Sequence, residues 1–124
     1  MISDPIREGI AAGWKAIDAA ALGRDLDIEV DVVVAGSGAG GGVTAEILAQ
    51  AGLAVAIVEE GPLKSSSDFR MLEREAYPQL YQESAGRQTK DKAITVLQGR
   101  SVGGSTTVNW TSSFRTAAVT LRIW

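Results

Sequence analysis

Residues 31–61 read DVVVAGSGAGGGVTAEILAQAGLAVAIVEEG, and the order of residue types along this stretch decides the fold. Residues 30–35, VDVVVA, form a β-branched run that stops at a glycine, the pattern of a strand apolar on both faces as in a parallel sheet. A helix is expected from about Gly38 to Ala51, with Val43, Ile47, Leu48 and Ala51 on its packing face and Gly52 as its C-cap. Residues 54–59, AVAIVE, read as a second short strand. Strand, helix and strand within about 30 residues make a βαβ unit.

The turn between the first strand and the helix carries Gly36, Gly38 and Gly41, spaced G-x-G-x-x-G. Each glycine has its own task in such a turn. Gly36 lets the chain leave the strand sharply, Gly38 removes a side chain that would hold a diphosphate off the backbone, and Gly41 lets helix and strand approach. The unpaired N–H groups at the helix start then face an anion, so the loop Gly36, Ser37, Gly38, Ala39, Gly40, Gly41 is the candidate phosphate cradle. Glu59 closes the second strand, where a carboxylate accepts hydrogen bonds from ribose hydroxyls and repels a 2′-phosphate; Glu60 and Gly61 follow, with Glu60 the more solvated carboxylate. The expected fold class is therefore α/β, a Rossmann-type dinucleotide site.

Composition narrows the function. A chain of 124 residues holds one small domain, and a net charge of −3 provides no basic face for nucleic acid. The chain has no cysteine and no histidine, which removes thiolate nucleophiles, Ser-His-Asp catalysis and Cys/His metal sites; no catalytic residue and no metal ligand is assigned. Charges at Asp4, Arg7 and Glu8 interrupt any signal-peptide core, and no stretch approaches the roughly 18 apolar residues of a membrane span. The expected location is cytoplasmic, with peripheral contact to a membrane left open.

Outside the βαβ unit the reading is coarser. Residues 4–22 read as an amphipathic helix with Asp4 as N-cap, Pro5 at its first position and Ile6, Ile10, Trp14, Ile17 and Ala21 on one face. Residues 1–29 form this helix and a linker, and 30–124 form the nucleotide-binding part. Behind Ser65-Ser66-Ser67-Asp68, the spacing of Phe69, Leu72, Ala76 and Leu80 predicts a helix that Pro78 kinks or divides. Residues 93–97, AITVL, predict a further strand, followed by a second glycine-rich turn, QGRSVGGSTTVNW, that enters another helix.

Taken together, G-S-G-A-G-G-G, V-E-E-G and G-R-S-V-G-G-S-T-T-V-N resemble the N-terminal FAD domain of the glucose-methanol-choline (GMC) oxidoreductases. The run SVGGSTTVNWTSSFRT is most similar to the branch containing long-chain alcohol oxidases. The resemblance spans residues 30–124 and implies FAD as cofactor, with Gly99, Arg100, Gly103, Gly104, Ser105 and Asn109 beside the flavin and its phosphates. Some relatives tether the flavin through a histidine just before the asparagine; Val108 stands there, so the resemblance implies noncovalent FAD. Ser113 departs from the aromatic or alanine residue expected there, with Phe114 one position later.

The resemblance further implies hydride transfer from an alcohol carbon to flavin, with a histidine from a region beyond residue 124 taking the hydroxyl proton. It leaves the electron acceptor unknown. The expectation is an incomplete, N-terminal FAD-binding fragment that does not turn over by itself. An NAD-dependent dehydrogenase fragment stays open as an alternative, as does a noncatalytic nucleotide-binding or interaction module that docks through Ile6, Ile10, Trp14 and Ile17.

Overall fold

The computed structural model describes residues 3–123; Met1 and Ile2 of the expected N-terminal unit, and Trp124, lie outside the described residues. Its centre is a parallel pair, β1 (Val32–Ala35) and β2 (Val55–Val58), joined by helix α2 (Ala39–Gln50). Val32 stands beside Val55 and Ala35 beside Val58. The ladder runs one residue past β1, where the Gly36 N–H donates to the Val58 carbonyl at 2.8 Å. At the other end the Asp31 carboxylate accepts from the Ala54 N–H at 2.8 Å.

Helix α2 begins and ends where the sequence places it, with Gly38 at the N-cap, Ala51 at the C-cap and Gly52, at φ 90°, in the left-handed position just beyond. Its packing face differs from the expected one. Ala45 is buried and Gly41 and Leu48 half-buried, whereas Val43 and Ile47 are exposed and Ala51 lies open. The cause is Gly41: its backbone lies so close to the Gly36 carbonyl and Val34 Cγ1 that the helix is rotated with the Gly41, Ala45, Leu48 row against the strands.

Of the two apolar faces of β1, one is covered and one is not. Val32 and Val34 are half-buried towards α2, while Val33 is 62% exposed on the other face, and Val58 is equally open. The total accessible surface is 10101 Å², against about 6,300 Å² for a compact domain of this size. Ala45 and Leu80 are the buried apolar residues among those described. The second sheet face is thus apolar and uncovered.

The N-terminal helix is shorter than the sequence suggests. Helix α1 spans Pro5–Ala11 and stops because Gly13 takes φ 105°. The Trp14 N–H then reaches the Gly9 carbonyl at 2.9 Å and the Gly13 N–H the Ile10 carbonyl at 3.0 Å, a Schellman stop that lays the indole over Gly9. A single 3₁₀ turn, Ala19–Ala21, capped by Asp18, is what remains of the rest.

Helix α3 covers Glu73–Leu80, so the serine run does not start it and Pro78 sits in its last turn without dividing it. Ser65, Ser67 and Asp68 instead bind the N-terminal arm. Asp4 caps α1 through the Arg7 N–H at 3.1 Å and also accepts from Ser65 Oγ at 2.7 Å and Ser67 N–H at 2.9 Å, while Arg7 Nη2 pairs with Asp68 at 2.8 Å. Residues 93–97 form no strand: the Gln88–Thr95 bridge is isolated, and Ile94 and Leu97 are exposed. The second glycine-rich turn leads into one 3₁₀ turn, Gly104–Thr106, rather than a full helix; a short helix α4, Ala118–Leu121, follows later. No helix among the described residues is long and apolar enough to cross a membrane.

Candidate functional site

Three segments meet at the C-terminal edge of the parallel pair: the first glycine-rich turn, the end of β2, and the second glycine-rich turn. Gly36 leaves β1 at φ 89°, a conformation that suits glycine. Gly38, the N-cap of α2, has no side-chain cap, so the first N–H groups and the positive end of a 12-residue helix face outward. A Cβ built on Gly36, Gly38 or Gly40 meets nothing within 4 Å, and Ala39 is exposed. The turn therefore presents bare backbone with open space above it, the shape a diphosphate needs.

Glu59 turns back onto this loop. Its Oε2 accepts from the Ser37 N–H at 2.9 Å and from Ser37 Oγ at 2.7 Å, and its Oε1 accepts from the Gly61 N–H at 2.9 Å. Burial pushes the Glu59 carboxyl up, but the Ser37 amide and hydroxyl and the Gly61 amide outweigh it and hold it below the ordinary carboxylate range. The carboxylate is anionic and pre-oriented, with at most one acceptor position left on Oε1 for a ribose hydroxyl.

The second turn is held by close backbone packing. A Cβ on Gly61 would run into the Ser101 amide and lie 2.5 Å from the Arg100 carbonyl oxygen; one on Gly99 would lie 2.5 Å from the Gly104 carbonyl oxygen. Gly104, at φ 57°, packs its ideal Cβ position 3.0 Å from Gly38 Cα, so the two turns touch directly. The Val102 N–H donates to the Pro62 carbonyl at 3.1 Å and the Arg100 N–H to the Leu80 carbonyl at 2.6 Å. Ser37 Oγ accepts from the Gly103 N–H at 2.9 Å, completing a chain from the second turn through the first to Glu59.

Arg100 and Glu60 form an exposed ion pair at 3.4 Å, and Gln82 also bonds Glu60, so Glu60 is solvated but engaged and Arg100 points towards it. Ser105 Oγ accepts from the Gly99 N–H at 3.0 Å, which ties the turn and leaves its own proton free to donate. Val108 and Asn109 stand farther along, where they line a hollow of about 590 Å³ with Tyr81, Leu97, Ser105 and Trp110. The Asn109 amide donates to the Ser112 carbonyl at 2.8 Å.

Local reading did not single out Ser101 or Thr107. Ser101 is fully buried under Gly61 with no partner for its Oγ. Thr107 Oγ1 donates to the Val102 carbonyl at 2.7 Å and fills the space over Gly103. A hydroxyl three residues after the Gly103-Gly104 pair was the available signal for Thr107; nothing local marks Ser101. Among the described residues no group of three or more acidic, histidine or cysteine side chains is placed to hold a metal ion.

Comparison with known proteins finds a family and several relatives. A family model described as GMC oxidoreductase matches residues 77–124. The long-chain-alcohol oxidase FAO4A of Arabidopsis thaliana is 37% identical over 84 residues, covering 68% of this chain and 12% of the relative. FAO4B of the same plant, also a long-chain-alcohol oxidase, is 42% identical over 84 residues, covering 68% and 11%. An uncharacterized GMC-type oxidoreductase of Mycobacterium tuberculosis is 40% identical over 86 residues, covering 68% and 14%. The chain thus spans about an eighth of the length of the curated relatives it matches. No solved structure matches it.

Proposed function

Because the chain belongs to the GMC oxidoreductase family, we propose that residues 30–124 are the N-terminal FAD-binding part of a flavin-dependent oxidoreductase acting on CH–OH groups of aliphatic alcohols. The observation that carries this reading is the direct packing of the second glycine-rich turn on the first, Gly104 against Gly38 and Gly103 onto Ser37. A site for an ADP half alone needs only the first turn; a second bare-backbone turn built against it suits a longer, flavin-bearing dinucleotide.

The residues fit that group. The start of α2 with Gly36, Gly38 and Gly40 would hold the diphosphate, Glu59 one ribose hydroxyl, and Ser105, Val108 and Asn109 would border the flavin end. Val108 has no atom for a flavin bond, so the cofactor is held noncovalently. FAD, when bound, supplies the two-electron acceptor for a hydride from the alcohol carbon. No residue of this chain is assigned to take the hydroxyl proton, so the chain by itself holds cofactor without turning over alcohol.

On this reading the alcohol meets residues supplied beyond position 124, and residues 1–29 form an arm clipped to the loop at Ser65–Asp68. The location proposed is cytoplasmic, with peripheral membrane contact open. The test joins the chain to the coding sequence downstream. A histidine-containing continuation is expected, and its product should carry a yellow chromophore that a long-chain alcohol bleaches without oxygen. A continuation with no histidine in any frame removes the alcohol-oxidising assignment.

A further inference from the structure

We infer that Ser37 is a positioning residue that sets how the second glycine-rich turn sits against the first, and so places Ser105 and Asn109 for the flavin end and selects FAD over its ADP half. The ligand named rests on the FAD reading above; the contacts do not. Ser37 occupies a variable place in G-x-G-x-x-G, where the nucleotide fingerprint asks for no particular side chain. Here its hydroxyl works in both directions at once, accepting from the Gly103 N–H at 2.9 Å and donating to Glu59 Oε2 at 2.7 Å, while its own N–H donates to the same oxygen at 2.9 Å.

Only a short side chain that donates and accepts can do this. Alanine offers neither function, and an amide divides donor and acceptor between two atoms. The arrangement also explains why the carboxylate matters to the second turn, which it never touches. Glu59 orients the Ser37 hydroxyl proton, and that orientation turns the oxygen lone pair to Gly103. Removing the hydroxyl leaves the Gly103 N–H without this acceptor, while the anchors at Pro62 and Leu80 keep the rest of the turn docked. The expected result is a turn that stays attached but shifts relative to the start of α2.

The test uses the full chain, isotopically labelled, with Ser37→Ala, Ser37→Thr and Ser37→Cys variants. Amide exchange at Gly103 should accelerate about tenfold in Ser37→Ala, as for loss of one hydrogen bond, and stay within about threefold of the parent in Ser37→Thr. Ser37→Cys keeps the size but is weak in both directions, and should behave like Ser37→Ala if that variant fails to fold. In parallel, FAD affinity should fall about tenfold in Ser37→Ala while ADP affinity changes by less than about threefold. Unchanged Gly103 exchange in both Ser37→Ala and Ser37→Cys overturns the inference, as does a loss that Ser37→Thr does not restore. Equal losses for FAD and ADP overturn the selection. If the parent binds ADP but no FAD while the exchange pattern holds, the cofactor reading fails and the positioning role stands.

Discussion

The two glycine-rich turns solve the same problem, bringing bare backbone to one place, by opposite means. The first, Gly36 to Gly41, is made locally: a strand ends, Gly36 takes a positive φ, a helix begins, and Gly41 packs back on Gly36. The second, Gly99 to Gly104, is made by distant partners: Gly61 and Pro62 after β2, Leu80 at the end of α3, and Gly38 and Ser37 in the first turn. The first turn is therefore a platform that exists without the second. The second exists only against these distant partners, the first turn among them.

That asymmetry can be broken at single atoms. The largest effect is expected from Gly41→Ala, whose Cβ would strike the Gly36 carbonyl, a backbone atom that cannot swing away. A loss of about 3 kcal/mol in urea denaturation is expected, with both turns losing amide protection. Gly61→Ala drives its Cβ into the Arg100–Ser101 backbone and should cost about 2 kcal/mol, but deprotect residues 99–104 alone. Equal deprotection of residues 36–41 in Gly61→Ala would show that the two turns form one cooperative unit and end the comparison.

Acid offers a gentler probe. The Glu59 carboxyl is held below its ordinary value in the folded chain, so its contribution is present above the unfolded value near about 4.3 and is lost as pH falls through the lower folded value. As pH falls through that lower folded value the Gly103 amide should lose protection while Gly36, which bonds the Val58 carbonyl, keeps it. Glu59→Gln should remove that pH dependence. The smallest effect is Gly40→Ala: it lies in the first turn of α2 with nothing near its Cβ, so stability should rise by about 0.5–1 kcal/mol, read as a higher melting temperature.

The same contrast explains what could be read from the sequence. The βαβ unit was legible because its signals, a β-branched run, spaced glycines and a terminal Gly52, all act within a few residues. The face of α2 was not, because close approach at Gly41 overrode the apolar periodicity of Val43 and Ile47. Ser65–Asp68 looked like a helix start; its serine donors go to Asp4 and its Asp68 carboxylate accepts from Arg7, some 60 residues away in the chain. Residues 93–97 have strand composition and no neighbouring strand to pair with beyond one bridge. At the site, Glu59 was legible as an acid at a strand end, but its bonds to Ser37 depend on a fold that spacing does not encode.

The central claim, that the two turns form one FAD site, is tested most directly by titrating the chain with FAD, FMN, ADP and NADH and following flavin or nicotinamide fluorescence, with ADP read by competition. Saturable binding is predicted for FAD, tighter than for ADP or FMN because FAD alone carries both the ADP half and the flavin end, with no comparable binding of NADH. Saturable binding of NADH where FAD shows none would contradict the account.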